Sequence, residues 1–320
     1  MTVLKSIEIL SPGLQTTIQD LGRFGYGHYG VPVSGALDFF SLRIANRLVD
    51  NSDDSACLET TLMGLQLKVL TDICVAVTGA DLQSQVNKQP LKMWCSHVLK
   101  KGDILSFSGP RSGCRSYIAV GGGIVTPFVL GSQSTNLSSG FGGIEGRSLQ
   151  KGDYLSIDSP RAKLPMAGCS LKSQWIPTYP STWLLRVVWG PQDDDFTNKG
   201  KQTLTHTRYT VSPQSDRTGI RLEGEEIQRK RDTAESIISE GLISGSIQVP
   251  GDGKPIIILG ETVSGGYRKI ATVITADLHL LGQIKPGDEI QFEAVSLEEA
   301  NDALNEPGHK VNNLSALLNP

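Results

Sequence analysis

Four short segments set charged or proton-transferring side chains among small residues. Gln19-Asp20-Leu-Gly-Arg23-Phe-Gly-Tyr26 places two charges and a phenol on a glycine-hinged loop. Val31-Pro-Val-Ser34-Gly-Ala-Leu-Asp38 brings a hydroxyl and a carboxylate to a helix entrance, where Ser34 is a candidate N-cap and Asp38 a candidate partner for the helix dipole. Ser215-Asp216-Arg217-Thr-Gly-Ile-Arg221 spaces two guanidiniums four residues apart, on one face if the segment is a strand. Such a pair suits a carboxylate, phosphate or carboxyphosphate-like group, although an Asp216–Arg ion pair bracing a turn fits the same residues. Gly265-Gly266-Tyr267-Arg268-Lys269 carries a phenol and an amine on a tight turn, either a general acid–base pair or a surface loop.

Other chemistries find less support. Gly121-Gly122-Gly123 follows an apolar run, and Gly140-Phe-Gly-Gly-Ile-Glu-Gly146 comes later. Neither has the Lys-Ser/Thr of a nucleotide loop or opens a helix, so both read as turn glycines. His28, His97, His206, His279 and His309 are dispersed without metal-ligand spacing, and no metal site is expected. No Gly-x-Ser-x-Gly elbow occurs. The five cysteines (Cys57, Cys74, Cys95, Cys114, Cys169) include no CxxC pair and read as small apolar fillers in a reducing compartment. A net charge of −3 argues against nucleic-acid binding, and no apolar run approaches a membrane span. A cytoplasmic, turn-rich globular protein is the expectation.

Many turns are needed to position these groups. Glycine is 35 of 320 residues, about 11% against a usual share near 7%, with 16 prolines besides. Short strands fit that composition, and alternating or apolar runs occur at 7–10, 65–70, 73–78 and 104–107. From Ala36 to Val49 the period changes. Leu37, Phe40, Ile44 and Leu48 recur at helical spacing, which predicts an amphipathic helix. A proline-rich stretch from Ser159 to Thr182 reads as an inter-domain connection. Strand patterns then resume, with a hairpin predicted between 246–249 and 256–259. Helices are expected over 271–283 and 297–304, followed by a loosely held tail over the last dozen residues. Lys101-Gly-Asp103, Lys151-Gly-Asp153 and Pro286-Gly-Asp288 each introduce a strand, glycine taking the positive-φ position and Asp capping the turn.

Taken in order along the chain, these segments resemble one family. Thr17-Ile-Gln-Asp-Leu-Gly-Arg-Phe-Gly-Tyr26, Gly30-Val-Pro-Val-Ser-Gly-Ala-Leu-Asp38 and Arg43-Ile-Ala-Asn46 look like its opening. Arg115-Ser-Tyr-Ile-Ala-Val-Gly-Gly-Gly123, Gly131-Ser-Gln-Ser-Thr135 and Gly142-Gly-Ile-Glu-Gly-Arg147 continue it. Gly190-Pro-Gln192, Ser215-Asp-Arg217, Ser239-Glu-Gly241, Gly265-Gly-Tyr267 and Lys269-Ile-Ala-Thr-Val273 follow in the second half. The family is the biotin-dependent carboxyltransferase-like family, which includes the 5-oxoprolinase C subunit, allophanate hydrolase subunit 2 and KipA-type proteins.

The resemblance implies a mainly β chain of two cyclophilin-like β-barrel halves, 1–165 and 175–320, with a few short helices and a cleft at their junction. It implies one subunit of a 5-oxoprolinase that opens 5-oxoproline to glutamate, with ATP as co-substrate of the complex. The partners it implies are a KipI-like B subunit plus an A subunit. Two alternatives belong to the same family: biotin-dependent carboxyl transfer in urea or allophanate metabolism, with biotin from another protein, and a KipA-like regulatory binding protein. Arg23, Asp38, Arg217 and Arg221 are the candidates for substrate anions and fold-critical ion pairs, and Tyr267 and Lys269 the candidate catalytic groups. One segment departs from the family. Relatives carry Asp-x-Gln-Thr-Thr before Gly-Gly-Tyr-Pro, where this chain has Gly260-Glu-Thr-Val-Ser264, and Arg268 stands in place of the proline.

Overall fold

The computed structural model describes residues 5–158, 168–305 and 314–319. They fall into two compact units. The first takes in the chain up to Arg23, Ser34–Tyr179 and residues 314–319, and the second takes in Phe24–Val33 and the chain from Pro180 to residue 305. Part of the expected connection, with Pro160 and Pro165, lies outside the described residues, as does the Pro307-Gly308 stop.

The first unit holds β1 (Lys5–Pro12), β2 (Gln15–Gln19), β3 (Cys57–Thr61), β4 (Leu65–Val69), β5 (Ile73–Asp81), β6 (Ser84–Val86) and β7 (Gln89–Pro90). It continues with β8 (Ser96–Leu99), β9 (Ile104–Phe107), β10 (Ser112–Val120), β11 (Ile124–Val125), β12 (Tyr154–Ile157) and β13 (Ser170–Leu171). A seven-stranded sheet runs β11-β12-β1-β4-β9-β6-β7, and a five-stranded one runs β2-β3-β10-β5-β8. Alternation in β4 turns Leu65, Leu67 and Val69 inward, whereas β5 is buried along all but its last residue, its apolar run Ile73–Val77 leading to the buried Thr78. Ile7, Ile9, Leu67, Val75, Leu105 and Ile118 share one core.

Helix α1 (Phe39–Leu48) begins later than the periodicity suggests, because Asp38 rather than Ser34 is its N-cap. Ser34 instead holds a left-handed φ of 57°. Leu42, Ile44, Ala45 and Leu48 are buried, as the helical spacing requires.

The second unit is built on a closed barrel of β14 (Thr182–Trp189), β15 (Tyr209–Val211), β16 (Gly219–Glu223), β18 (Ser246–Val249), β19 (Ile256–Ile258), β21 (Arg268–Val273) and β22 (Glu289–Ala294). Outside it, β17 (Glu240–Gly241) pairs with β20 (Ser264–Gly265). The predicted hairpin is present as β18–β19, with Ile247 opposite Ile257. The helix expected over 271–283 is corrected. Ala271–Val273 finish β21, paired between β14 and β18, and only Thr275–Gln283 coil, as 3-10 turns. β-branched Ile270, Thr272 and Val273 suit that strand, and pairing on both sides outweighs the helical spacing. Helix α2 (Asn198–His206) is not legible in the sequence, since only Gly200, Thr203 and Leu204 of its residues are buried. Helix α3 (Leu297–Ala303) starts at a Ser296–Glu299 capping box.

The three Gly-Asp turns share one construction. Gly102, Gly152 and Gly287 have φ of 98°, 89° and 86°. In each, the Asp carboxylate accepts an N–H three residues back, from Lys100, Gln150 and Lys285 at 2.8, 2.7 and 3.1 Å. The described end of the chain is tied down rather than loose, for β23 (Leu318–Asn319) pairs with β13.

Candidate functional site

In the first unit the resemblance-bearing motifs build a buried polar network around Asp38. Its Oδ1 accepts the Ser41 N–H at 2.9 Å, and its Oδ2 accepts the Ser41 hydroxyl at 2.6 Å. The Tyr179 hydroxyl lies 3.4 Å from the same Oδ2. The Asp38 N–H donates to Tyr117 Oη at 2.8 Å, and Tyr117 donates to Glu59 Oε2 at 2.7 Å. Arg115 Nε stands 3.7 Å from Glu59 Oε1. Burial pushes the Tyr117 phenol well above the ordinary tyrosine range, with Glu59 and Asp38 adding to the push. Burial and then Asp38 do the same to Tyr179. Both phenols are therefore neutral around pH 7.

Arg23 is also turned into protein. Its Nη1 donates to Ser34 Oγ at 2.9 Å, its Nη2 donates to the Ser134 carbonyl, and the guanidinium stacks 4.7 Å from the Phe141 ring centre. Asp20 works on the same loop, accepting the Ser132 hydroxyl at 2.6 Å and the Gln133 N–H at 2.5 Å. Gly142 must be glycine here, because its φ is 74° and a Cβ would overlap the Ser134 backbone. Arg23 and Asp38 thus hold the loop and helix of their own unit. The glycine run offers no phosphate cradle either. The N–H groups of Gly121, Gly122 and Gly123 bond to the Cys74 carbonyl, Asn51 Oδ1 and the Val120 carbonyl.

The second unit gathers a different set. Lys269, on β21, is 6% exposed, and its Nζ bonds Glu240 Oε2 at 2.6 Å. Gln192 Nε2 donates to the same Glu240 oxygen at 2.9 Å, while Gln192 Oε1 accepts the Lys269 N–H at 3.1 Å. Three segments far apart in sequence, Gly190-Pro-Gln192, Ser239-Glu-Gly241 and Lys269-Ile-Ala-Thr-Val273, are closed into one amine–carboxylate–amide triangle. The Lys269 hydrogen bond, with its Coulomb attraction, holds the Glu240 carboxyl below the usual glutamate range. Glu240 and Gln192 were not among the sequence candidates, although both lie within motifs that carry the resemblance. Strand alternation sends Arg268 the other way, to Asp195 Oδ2 at 2.6 Å. Tyr267 precedes the strand and is 41% exposed.

Arg217 and Arg221 do not share a strand face. β16 begins only at Gly219, so Arg217 lies before it, 2% exposed, with its Nε 3.0 Å from Glu261 Oε1. Asp216 instead caps the turn, accepting the Thr218 N–H at 2.7 Å, and Arg221 is exposed. Gly260 brings no side chain and Glu261 is paired with Arg217. The 260–261 segment therefore offers no carboxylate for the carboxyl-transfer role that the resemblance gives it. Among the described residues, no group of three or more His, Cys, Asp or Glu could hold a metal ion, and no helix is long and apolar enough to cross a membrane.

Comparison with known proteins agrees with this arrangement of motifs. Residues 29–294 match the family model for the carboxyltransferase domain, subdomain A and B. The 5-oxoprolinase C subunit of Escherichia coli (strain K12) is 37% identical over 295 residues, covering 92% of this chain and 93% of that protein. The urea amidolyase of Lachancea kluyveri is 34% identical over 323 residues, which are 93% of this chain but only 18% of that protein. Among solved structures, the K. lactis urea amidolyase superposes with a TM-score of 0.90 at 32% identity, over 100% of this chain and 21% of that one. The chain belongs to the carboxyltransferase-domain family.

Proposed function

We propose that the chain is the C subunit of an ATP-dependent 5-oxoprolinase, acting with a KipI-like B subunit plus an A subunit to convert 5-oxoproline to glutamate. The observation that carries this reading is the 37% identity to the Escherichia coli 5-oxoprolinase C subunit over 92% of the chain. In this reading water adds to the lactam carbonyl carbon as the ring C–N bond breaks, Lys269 supplies a proton to the ring nitrogen and recovers one from the water, and Glu240 orients the amine. Tyr267, two residues before Lys269 and half-exposed, offers a hydroxyl at the same end of β21. Arg221, exposed on β16, is available to the substrate carboxylate. ATP is the co-substrate of the assembly in this reading.

The test is reconstitution. The purified chain with its B and A partners, ATP and 5-oxoproline should release glutamate, and omission of this chain should abolish release. A complete set of partners that never forms glutamate would refute the proposal. The urea-carboxylase reading draws on the K. lactis superposition. It predicts instead that urea and a carboxybiotin carrier are turned over, for which the 260–261 segment lacks the carboxylate.

A further inference from the structure

On the reading that Lys269 transfers the proton, we propose that Gln248 is a positioning residue for the Lys269–Glu240 pair, its carboxamide clamping the turn that carries Tyr267. Gln248 lies on β18 and is 4% exposed, between Ile247 and Val249, which are both fully buried. An amide at such a place is costly unless its hydrogen-bonding groups are used. Its Nε2 donates to the Tyr267 carbonyl at 3.1 Å, an orientation fixed by chemistry because only the NH2 end can bond a carbonyl.

The register of β18 on β21 puts Gln248 beside the pair. Ile247 stands opposite Ala271 but Gln248 stands opposite Lys269, so Ile270 is the extra residue of a bulge. In an unbulged ladder Gln248 would face Ile270, and Val249 would face Lys269. Bulges re-aim side chains in this way, and residues directly opposite share a face. On the neighbouring turn, Gly265 leaves the room that the amide occupies. A Cβ there would come 2.7 Å from Gln248 Nε2 and 3.1 Å from its Oε1, so the amide would have to move.

The same turn holds Glu240. Gly265 pairs with Glu240 and Ser264 with Gly241 in the β17–β20 ribbon, and the Gly266 carbonyl accepts the Ile237 N–H at 2.8 Å. Apolar burial anchors this ribbon poorly, for Ile238 is 92% exposed and both residues of β17 are exposed. Segments of this kind open more readily than a barrel core. Backbone bonds fasten Glu240 to residues 264–266, and the Gln248 side chain fastens Tyr267, the next residue, to β18. The contact of Lys269 Nζ with Glu240 Oε2 at 2.6 Å depends on both fastenings. Gln192 bonds the Glu240 carboxylate itself, whereas Gln248 holds the backbone of the turn.

Gln248→Met keeps the length of the side chain and removes the donor. In the whole chain the Glu240 titration midpoint, read by carboxyl ¹³C NMR, should rise towards the ordinary glutamate value. Hydrogen exchange at the Ile237 amide should quicken roughly two- to tenfold, the loss of one hydrogen bond, while amides of β14 keep their rates. Gly265→Ala drives the amide off the Tyr267 carbonyl with Gln248 intact and should give the same two changes. It decides the matter if Gln248→Met does not fold. In a complex that releases glutamate, Gln248→Met should lower kcat roughly 10- to 100-fold with KM for 5-oxoproline little changed. A Glu240 midpoint and an Ile237 exchange rate that stay unchanged in a folded variant would overturn the proposal, as would an undiminished kcat. A wild-type complex that releases no glutamate would instead refute the 5-oxoproline reading, and the Glu240 midpoint, read on the chain alone, would still decide the role of Gln248.

Discussion

Arg217→Met removes one half of an ion pair shut away from water. The side chains of Arg217 and Glu261 are 2% and 1% exposed, and Nε and Oε1 are 3.0 Å apart. Neither charge can recover its hydration when the other is deleted, so the usual discount for a solvated surface pair does not apply. Removing one partner of such a pair costs about 3–5 kcal/mol. For folding units of about 150–250 residues, each kcal/mol shifts Tm by roughly 2–4 °C, so the variant should melt about 6–20 °C lower. Thermal and urea unfolding followed by circular dichroism would read this. Arg217→Met combined with Glu261→Leu replaces the pair by apolar groups of similar volume and should recover most of the loss. A single variant that loses less than about 1 kcal/mol, or a double variant no better than the single, would refute the reasoning. The outcome also separates two roles for Arg217, because a guanidinium kept for substrate would lose ligand affinity while leaving the melting point in place.

Lys269→Met should raise the Glu240 titration midpoint towards the ordinary glutamate value near 4.3, read by carboxyl ¹³C NMR. Glu240 is depressed in the folded state, so its contribution to stability is present above the unfolded value and fades as pH falls through the folded one. The same variant should cut glutamate release by the reconstituted complex by about 10²–10⁴-fold. Gly142→Ala should cost more than about 1 kcal/mol in denaturant unfolding, since it combines a positive φ with overlap on the Ser134 backbone. Asp38→Ala should cost about 1–2 kcal/mol through loss of the α1 cap, measured the same way. Tyr117 and Tyr179, both pushed up, should stay un-ionised at pH 10, read by absorbance at 295 nm in Tyr117→Phe and Tyr179→Phe difference spectra. Their contribution to stability should then fall as pH rises above the unfolded tyrosine value near 10.

Elements whose signal is local were legible from residue order. The α1 stripe, the β18–β19 hairpin and the three Gly-Asp turns each depend on neighbours a few residues apart. The strand at 268–273 and helix α2 were not. Pairing partners from β14 and β18 decide the first, and a nearly all-polar nine-residue helix gives no periodic stripe for the second.

The candidate residues divide the same way. The sequence alone establishes which residue types stand in the family's motifs, including Arg23, Asp38, Arg217, Tyr267 and Lys269, and it shows that Gly260 brings no carboxylate. Which of those groups face protein and which face solvent depends on contacts across 29 to 111 residues of chain. Lys269 with Glu240, Arg217 with Glu261 and Arg23 with Ser134 are such contacts. Hydrogen bonds and burial act over ångströms in space, not along the chain. Only the tertiary structure could therefore turn two of the candidate arginines into internal braces and join Lys269 to Glu240 and Gln192.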